Sequence, residues 1–258
     1  MRLRDALRDT TIQCLTTGKV AADMMLLWEV YSRLGADLAV FYGHSGYIAS
    51  DRSSACMWWL EKKSTRKLIQ LDEDMLPPVD MLKLALKLDE PDVDLVFAPY
   101  LYLGDRGLTL SAATLDETAP MLSEPGLLEV AWGGTGMWAA KRETLLKIRA
   151  AEGAIIKFEI DEDGRKKRGT DVFFCARARA LGMRVWLDRD LIAGHRKGPV
   201  WVPHPDGSIS SLPWGKFWRG REVPRTHTDA TKLTELVAEF VQEIDAETLA
   251  SSEVIACG

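Results

Sequence analysis

Lys67-Leu68-Ile69-Gln70-Leu71-Asp72-Glu73-Asp74-Met75-Leu76-Pro77-Pro78 holds more information than any other stretch of this chain. An apolar run ends in three acids, and a proline pair follows. The run reads as a buried strand, and the prolines stop regular structure from continuing. Carboxylates at the C-terminal end of a buried strand stand where open α/β sheets bind their ligands. Two acids one residue apart can also hold a divalent cation. The letters alone are weak, because 38 acids in 258 residues make about one such triplet by chance. Asp161-Glu162-Asp163 is a second copy in the same chain, after the apolar run Ile155 to Ile160. There Gly164 and the cations Arg165, Lys166, Lys167 and Arg168 come next, so this copy reads as the solvated turn of a hairpin.

Outward from Asp72 the pattern is regular. Thr10 to Thr16 is a β-branched, apolar strand closed by Thr17-Gly18. Val20 to Leu34 has helical spacing, with Gly35 as its C-terminal stop. Asp37 to Tyr42 is a second strand, Gly43-His44-Ser45-Gly46 a loop, and Ile48 to Lys63 a helix. Val79 to Leu88 is expected to be helical and Val93 to Tyr100 a strand. Strand and helix alternating over the first hundred residues predict a doubly wound parallel sheet. Further on, Leu108 to Leu115 and Glu129 to Trp132 are strand candidates, the second ending in Gly133-Gly134-Thr135-Gly136. Lys141 to Ala151 and Thr170 to Leu181 are helices, and Ile155 to Ile160 and Arg184 to Ala193 are strands. From Arg196 to His227 periodicity gives way to prolines, glycines and tryptophans, and Thr231 to Leu249 is a last amphipathic helix.

Composition is that of an ordinary globular chain, 47% apolar and 28% charged, which argues against general disorder. A net charge of −5 gives no global attraction to nucleic acid or an anionic membrane. Cys14, Cys56, Cys175 and Cys257 form no C-x-x-C pair and read as buried free thiols of a reducing compartment. No run reaches the ~20 apolar residues of a membrane span, and the N-terminus leads into no signal-length apolar stretch. A cytoplasmic protein without stable membrane insertion is the expectation.

Six segments in order resemble the GT-A type glycosyltransferases, family 2-like and carrying an aspartate-x-aspartate element. They are the opening strand, Ile48-Ala49-Ser50-Asp51-Arg52 at the head of a helix, and Leu71-Asp72-Glu73-Asp74-Met75 with its prolines. Gly134-Thr135-Gly136 before Ala140-Lys141-Arg142, Gly169-Thr170-Asp171-Val172-Phe173-Phe174, and Gly194-His195 complete the set. The resemblance runs from about Thr10 to His195. It implies an α/β, GT-A (Rossmann-like), mostly parallel sheet flanked by helices in one domain over 1–258. Residues 10–100 would be the nucleotide-binding half, 101–195 the acceptor-side half, 196–227 a lid or acceptor loop, and 231–249 a C-terminal helix.

The same resemblance implies a hexosyltransferase that uses a nucleotide diphosphate sugar, with uridine as the expected base, and Mn²⁺ (or Mg²⁺). Asp72 would contact the ribose or the metal shell, Asp74 would ligate the ion, and His195 would be a third ligand. Imidazole suits Mn²⁺ better than Mg²⁺. Asp171 would be the general base that takes the acceptor's proton. A rival account of Asp171 is helix capping, with Thr170 as N-cap and an acid in the first turn. Thr16 and Thr17 would meet the nucleobase, and Arg52 the nucleotide or, through an ion pair, the Asp72 loop. Gly134, Thr135 and Gly136 would let backbone amides approach sugar and phosphate, and Lys197 could meet the diphosphate.

The acceptor is open between a saccharide and a modified base in DNA, because Trp201, Trp214, Phe217 and Trp218 interleave with Lys197, Lys216, Arg219, Arg221 and Arg225. Two rivals stand beside the transferase. A sugar-nucleotide pyrophosphorylase needs a glycine-rich basic loop after the first strand, for which Thr16-Thr17-Gly18-Lys19-Val20 supplies little. A catalytically silent nucleotide- or carbohydrate-binding module would keep the fold without turnover.

Overall fold

The structure, a computed structural model, describes residues 3–18, 22–45, 47–78, 80–104, 107–160, 162–163, 166–196, 200–203 and 209–212, with residue 242. The chain begins with α1 (Leu3–Asp9), β1 (Thr10–Thr16), α2 (Ala22–Arg33), β2 (Asp37–Tyr42), α3 (Ile48–Lys62) and β3 (Lys67–Asp72). Then come β4 (Met75–Leu76), α4 (Lys83–Lys87), β5 (Leu95–Phe97), β6 (Leu101–Gly104), β7 (Gly107–Leu110), β8 (Ala112–Thr114), β9 (Leu127–Gly133) and β10 (Met137–Lys141). The remaining elements are α5 (Arg142–Glu152), β11 (Glu159–Ile160), β12 (Lys166–Arg168), α6 (Thr170–Ala180), β13 (Val185–Asp188), β14 (Gly194–Arg196), β15 (Val200–Pro203) and β16 (Ile209–Leu212).

β1 and β2 have the expected bounds, and Gly35 ends α2 with a φ of +84°, a left-handed conformation that glycine adopts without strain. The expected helix from residue 79 shrinks to α4. The expected strand Leu108–Leu115 divides into β7 and β8, which lie in different sheets. Of Ile155–Ile160 only β11 is strand. It pairs antiparallel with β12, as expected of a hairpin, and Glu162 and Asp163 lie between the two strands, while Asp161 lies outside the described residues. The expected helix Thr231–Leu249 and nearly all of the loop 196–227 lie outside the described residues.

Eight strands form the central sheet in the order β2-β1-β3-β10-β5-β13-β9-β8. β1 pairs parallel with β2 and β3, and β5 parallel with β13. β10 enters between β3 and β5 against both of them, so the sheet is mostly parallel rather than the all-parallel, doubly wound one that alternation predicts. Five residues that lead straight into α5 without a turn signal gave the sequence nothing to mark that strand.

Strand residues alternate between two cores. Ile69 and Leu71 of β3, Val96 of β5, and Met137 and Ala139 of β10 pack with α2 and α4 on one face. Leu68, Leu95, Phe97, Trp138 and Ala140 pack with α3, α5 and α6 on the other. All ten are buried, and at ~25 cal/mol per Å² this two-sided burial is the main source of stability. The glutamines at the centre of the sheet are paired. Gln70 donates to Gln13 (2.9 Å), its register partner on β1, and Gln13 donates to the Ala55 carbonyl of α3 (3.1 Å). Trp138 Nε1 donates to Gln70 (3.3 Å), which ties β10 into the same network.

The C-terminal end of α3 is closed by Arg142. Its Nε donates to Thr65 O (2.9 Å), Nη1 to Leu60 O (2.8 Å), and Nη2 to Lys63 O, while the guanidinium lies 4.4 Å from the centre of a Trp59 ring. Carbonyls that a helix leaves without intrahelical partners are thus satisfied by a cation, as the dipole favours.

Candidate functional site

The C-terminal ends of the parallel strands bring their residues to one cavity of about 680 Å³: Thr16 from β1, Gly43 after β2, Asp72 from β3 and Tyr100 after β5. Asp51, Arg52, Glu73 and Asp74 also line it, as do Asp171, Trp132 and His195 from the second half of the chain. Seven sequence-predicted residues, Thr16, Thr17, Arg52, Asp72, Asp74, Asp171 and His195, therefore share one wall system, although 179 positions separate the first from the last. Lys197 lies outside the described residues.

Arg52 projects from the first turns of α3 and is 6% exposed. Its Nη2 and Nε face the two carboxylate oxygens of Asp72, and its Nη1 lies 3.3 Å from Asp171 Oδ1. Burial alone would lower its pKa, but the carboxylates of Asp72 and Asp171 outweigh that and raise it, so the cation is secured. Burial pushes the Asp72 carboxyl up; Arg52 draws it back, while Asp74 and Asp171 add to the rise. Of the two roles foreseen for Arg52, the structure has the ion pair that holds the Asp72 turn.

Asp171 opens α6. Its Oδ1 accepts from Thr135 Oγ1 (2.7 Å), Thr170 Oγ1 (2.8 Å) and Arg52, and its Oδ2 takes no hydrogen bond among the described residues. The N-cap position is Gly169, which makes no side-chain cap; Thr170 is inside the helix with its hydroxyl on Asp171. The capping account survives only as an acid favoured by the helix dipole in the first turn.

Asp74 and His195 meet because β14 pairs with β4, placing His195 opposite Met75. His195 Nε2 lies 3.2 Å from Asp74 Oδ2, and Nδ1 lies 3.2 Å from the Leu101 carbonyl. A carbonyl can only accept, so Nδ1 carries the proton. Nε2 then faces the carboxylate either as a second N–H or as a lone pair beside a shared cation. Asp72 does not join them, and among the described residues no three histidine, cysteine or acidic side chains cluster for a metal.

Glu73, the middle acid, had no role assigned from sequence. Its Oε2 accepts from Thr16 Oγ1 (2.6 Å) and Thr17 N (2.9 Å), and its Oε1 from Thr17 Oγ1 (2.6 Å), so it occupies both hydroxyls expected to meet a base. Gly134 and Gly136 lie behind the cavity. A Cβ on Gly134 would stand 2.5 Å from Tyr100 Oη and 2.8 Å from Ser111 Cβ, and Gly136 N donates to Tyr100 Oη (3.3 Å). Their smallness serves the close packing of Tyr100, and Thr135 serves Asp171. Burial first, then Asp171 and Asp72, raise the Tyr100 phenol well above its ordinary range and keep it neutral. Tyr100 escaped the sequence reading, although it follows the end of a parallel strand, as Asp72 ends one.

The described cysteines, Cys14, Cys56 and Cys175, are free and buried, and burial pushes each thiol up to about 12, so none is a ready nucleophile. Among the described residues no helix is long and apolar enough to cross a membrane.

No family model and no curated protein sequence matches the chain. Among solved structures it is similar to A197 from STIV, with 21% identity over 83% of this chain and 95% of that one and a TM-score of 0.53. It is similar also to GalNAc-T7 crystallised with UDP, GalNAc and Mn²⁺ (11% identity, TM-score 0.45), covering 72% of this chain and 43% of that one. S. aureus TarS 1–349 follows at 12% identity and a TM-score of 0.42, covering 72% and 59%. The A197 likeness is one of fold alone, and the other two are too distant in shape to carry an argument. Together with the sheet order and the cavity at the strand ends, it makes the architecture an α/β fold of the GT-A, Rossmann-like type.

Proposed function

We propose that this chain is a metal-dependent glycosyltransferase that moves a hexose from a nucleotide diphosphate sugar, with uridine as the base, to a hydroxyl acceptor. The carrying observation is that Asp72, Asp74, Asp171 and His195, far apart in sequence, line one cavity at the C-terminal ends of the parallel strands. Arg52 orients Asp72, and Glu73 fixes the end of β1 against the acidic turn. Thr16 and Thr17 bound the cavity at the end expected for the nucleobase, and contact would use backbone and ring edges rather than their engaged hydroxyls.

Asp74 and His195 fit a divalent ion. A carboxylate oxygen faces an imidazole nitrogen whose ring partner, Nδ1–H, is held by a carbonyl, the outer-shell arrangement usual for histidine ligands. When bound, Mn²⁺ or Mg²⁺ would neutralise charge developing on the departing diphosphate. Asp171 supplies the base. Its Oδ1 is fixed by Thr135, Thr170 and Arg52, and Oδ2 is left to take the proton of the acceptor hydroxyl as the new glycosidic bond forms and the sugar–phosphate bond breaks. Thr135 is on this reading a positioning residue, and Gly134 and Gly136 admit the Tyr100 ring that closes the floor.

A thermal-shift screen of nucleotide-sugars with and without Mn²⁺ tests the proposal, since bound ligand raises stability by RT ln(1 + [L]/Kd). The expected result is a UDP-sugar shift that requires Mn²⁺ and vanishes in Asp74→Ala, together with donor hydrolysis that a silent module would lack. Asp171→Asn keeps the shift and loses transfer. Near-normal transfer by Asp74→Ala removes the metal assignment, and an equal loss of donor affinity in Asp171→Asn removes the base assignment.

A further inference from the structure

The cavity's charge and one aromatic wall bear on the acceptor. Among its described lining residues stand five carboxylates, Asp51, Asp72, Glu73, Asp74 and Asp171, against the single guanidinium of Arg52. Counting those carboxylates and the guanidinium, the formal balance is −4. A divalent ion and a UDP-sugar of two negative charges cancel one another, so the balance is the same when the donor is seated. In a cleft with low-dielectric walls that field repels an incoming phosphate. Another part of the described lining is uncharged and partly aromatic. Trp132, near the end of β9, is partly exposed and lines the cavity with Tyr102 and Val172. Cys175, one turn along α6 from Asp171, approaches Gly133 O at 3.8 Å, so the strand residue after Trp132 is anchored to the helix that carries the base.

Resting on the proposed transferase reading, we infer that the acceptor is an uncharged saccharide whose pyranose face stacks on Trp132 beside Asp171. A pyranose turns a patch of C–H groups to one side and hydroxyls to its rim. The indole covers the first, and Asp171 Oδ2 receives the proton from one of the second. A polyanionic acceptor such as DNA would meet repulsion from every acid named above.

The experiment uses the full chain, Mn²⁺ and the UDP-hexose of largest thermal shift, with five acceptors offered in parallel: methyl glucoside, methyl galactoside, glucose 6-phosphate, an arginine peptide and a single-stranded oligonucleotide carrying hydroxymethylated pyrimidines. Mass spectrometry reads transfer, and donor hydrolysis is followed without acceptor. Transfer to a methyl pyranoside, with acceptor KM raised about tenfold by Trp132→Ala and restored within about threefold by Trp132→Phe, supports the inference; tenfold is the size of a modest stacking contribution. The Mn²⁺–UDP thermal shift reports that each variant is folded. Preference for the oligonucleotide, the sugar phosphate or the arginine peptide overturns it. So does hydrolysis with no transfer to either pyranoside, or an acceptor KM unmoved by Trp132→Ala. If the donor is neither bound nor hydrolysed, the transferase reading itself fails and the acceptor assignment falls with it.

Discussion

Replacing Arg52 by methionine removes one charge from the centre of the site while keeping most of its aliphatic stem. The guanidinium side chain is 7% exposed and its partners Asp72 and Asp171 are 15% and 28% exposed. Breaking a buried pair by removing one partner costs about 3–5 kcal/mol, chiefly through the charge left behind. The two carboxylates share that cost unequally. Asp171 keeps the hydroxyls of Thr135 and Thr170, whereas both oxygens of Asp72 face only Arg52 among the described side-chain donors. The stranded group is therefore Asp72, and its partial exposure puts the expected loss near the lower end, about 3 kcal/mol. Burial already raises the Asp72 carboxyl, and the variant raises it further. A folded-state pKa above the unfolded value means stability is retained at low pH and lost as pH climbs through the folded pKa. Urea unfolding of Arg52→Met should show a deficit that is larger at pH 8 than at pH 5. The double variant Arg52→Met, Asp72→Asn should recover more than half of it at pH 8. A deficit under about 1 kcal/mol, comparable to an exposed pair, would refute the reasoning; so would one that ignores pH and the second substitution.

Arg142→Met should cost about 2–4 kcal/mol in urea unfolding, because the carbonyls of Leu60, Lys63 and Thr65 lose a charged donor together; a loss within 0.5 kcal/mol, as at a bland surface site, would show water replacing it freely. Gly134→Ala drives a methyl to 2.5 Å from Tyr100 Oη, so it should destabilise by about 1–3 kcal/mol and weaken Mn²⁺-dependent donor binding. An unchanged melting temperature would mean that the Tyr100 ring moves aside without cost. Asp188 is fully buried, its Oδ2 has no hydrogen-bond partner among the described residues, and burial pushes its carboxyl up to about 6. Stability from its neutral form is present below an unfolded pKa near 3.9 and is lost as pH rises through about 6. Asp188→Asn should accordingly gain on the order of 1–3 kcal/mol at pH 8 and little at pH 4, and equal gains at both would deny the linkage.

The first three strands could be read from the chain because each is an apolar run closed by glycine, threonine or acid, and each helix between them keeps one apolar face. The acidic turn was legible for the same reason: Asp72 ends a buried run, while its twin at Asp161 precedes a string of cations. What stayed hidden is what only pairing creates. β10 has no turn before α5, so its place between β3 and β5 is a decision of the sheet. Glu73 looked like one more acid until the strand register set it against Thr16 and Thr17. His195 was found by its position after Gly194, but its meeting with Asp74 depends on β14 lying along β4, a pairing of three residues with two. Asp72 and Asp74 stand one residue apart in sequence, but which side chains their carboxylates face, Arg52 for one and His195 for the other, is set by the fold.

The backward-running β10 also sets the order of events during synthesis. Among the described strands β5 pairs with β10 and β13, so its Leu95, Val96 and Phe97 have neither native neighbour until residue 137 and beyond have left the ribosome. Until then β3 presents an unpaired border and the emerging polypeptide carries apolar strands without neighbours, the situation in which nascent chains stick to one another. A fragment ending near residue 100 should therefore aggregate rather than fold, and pausing of translation ahead of codon 137 should make the whole protein depend on chaperones.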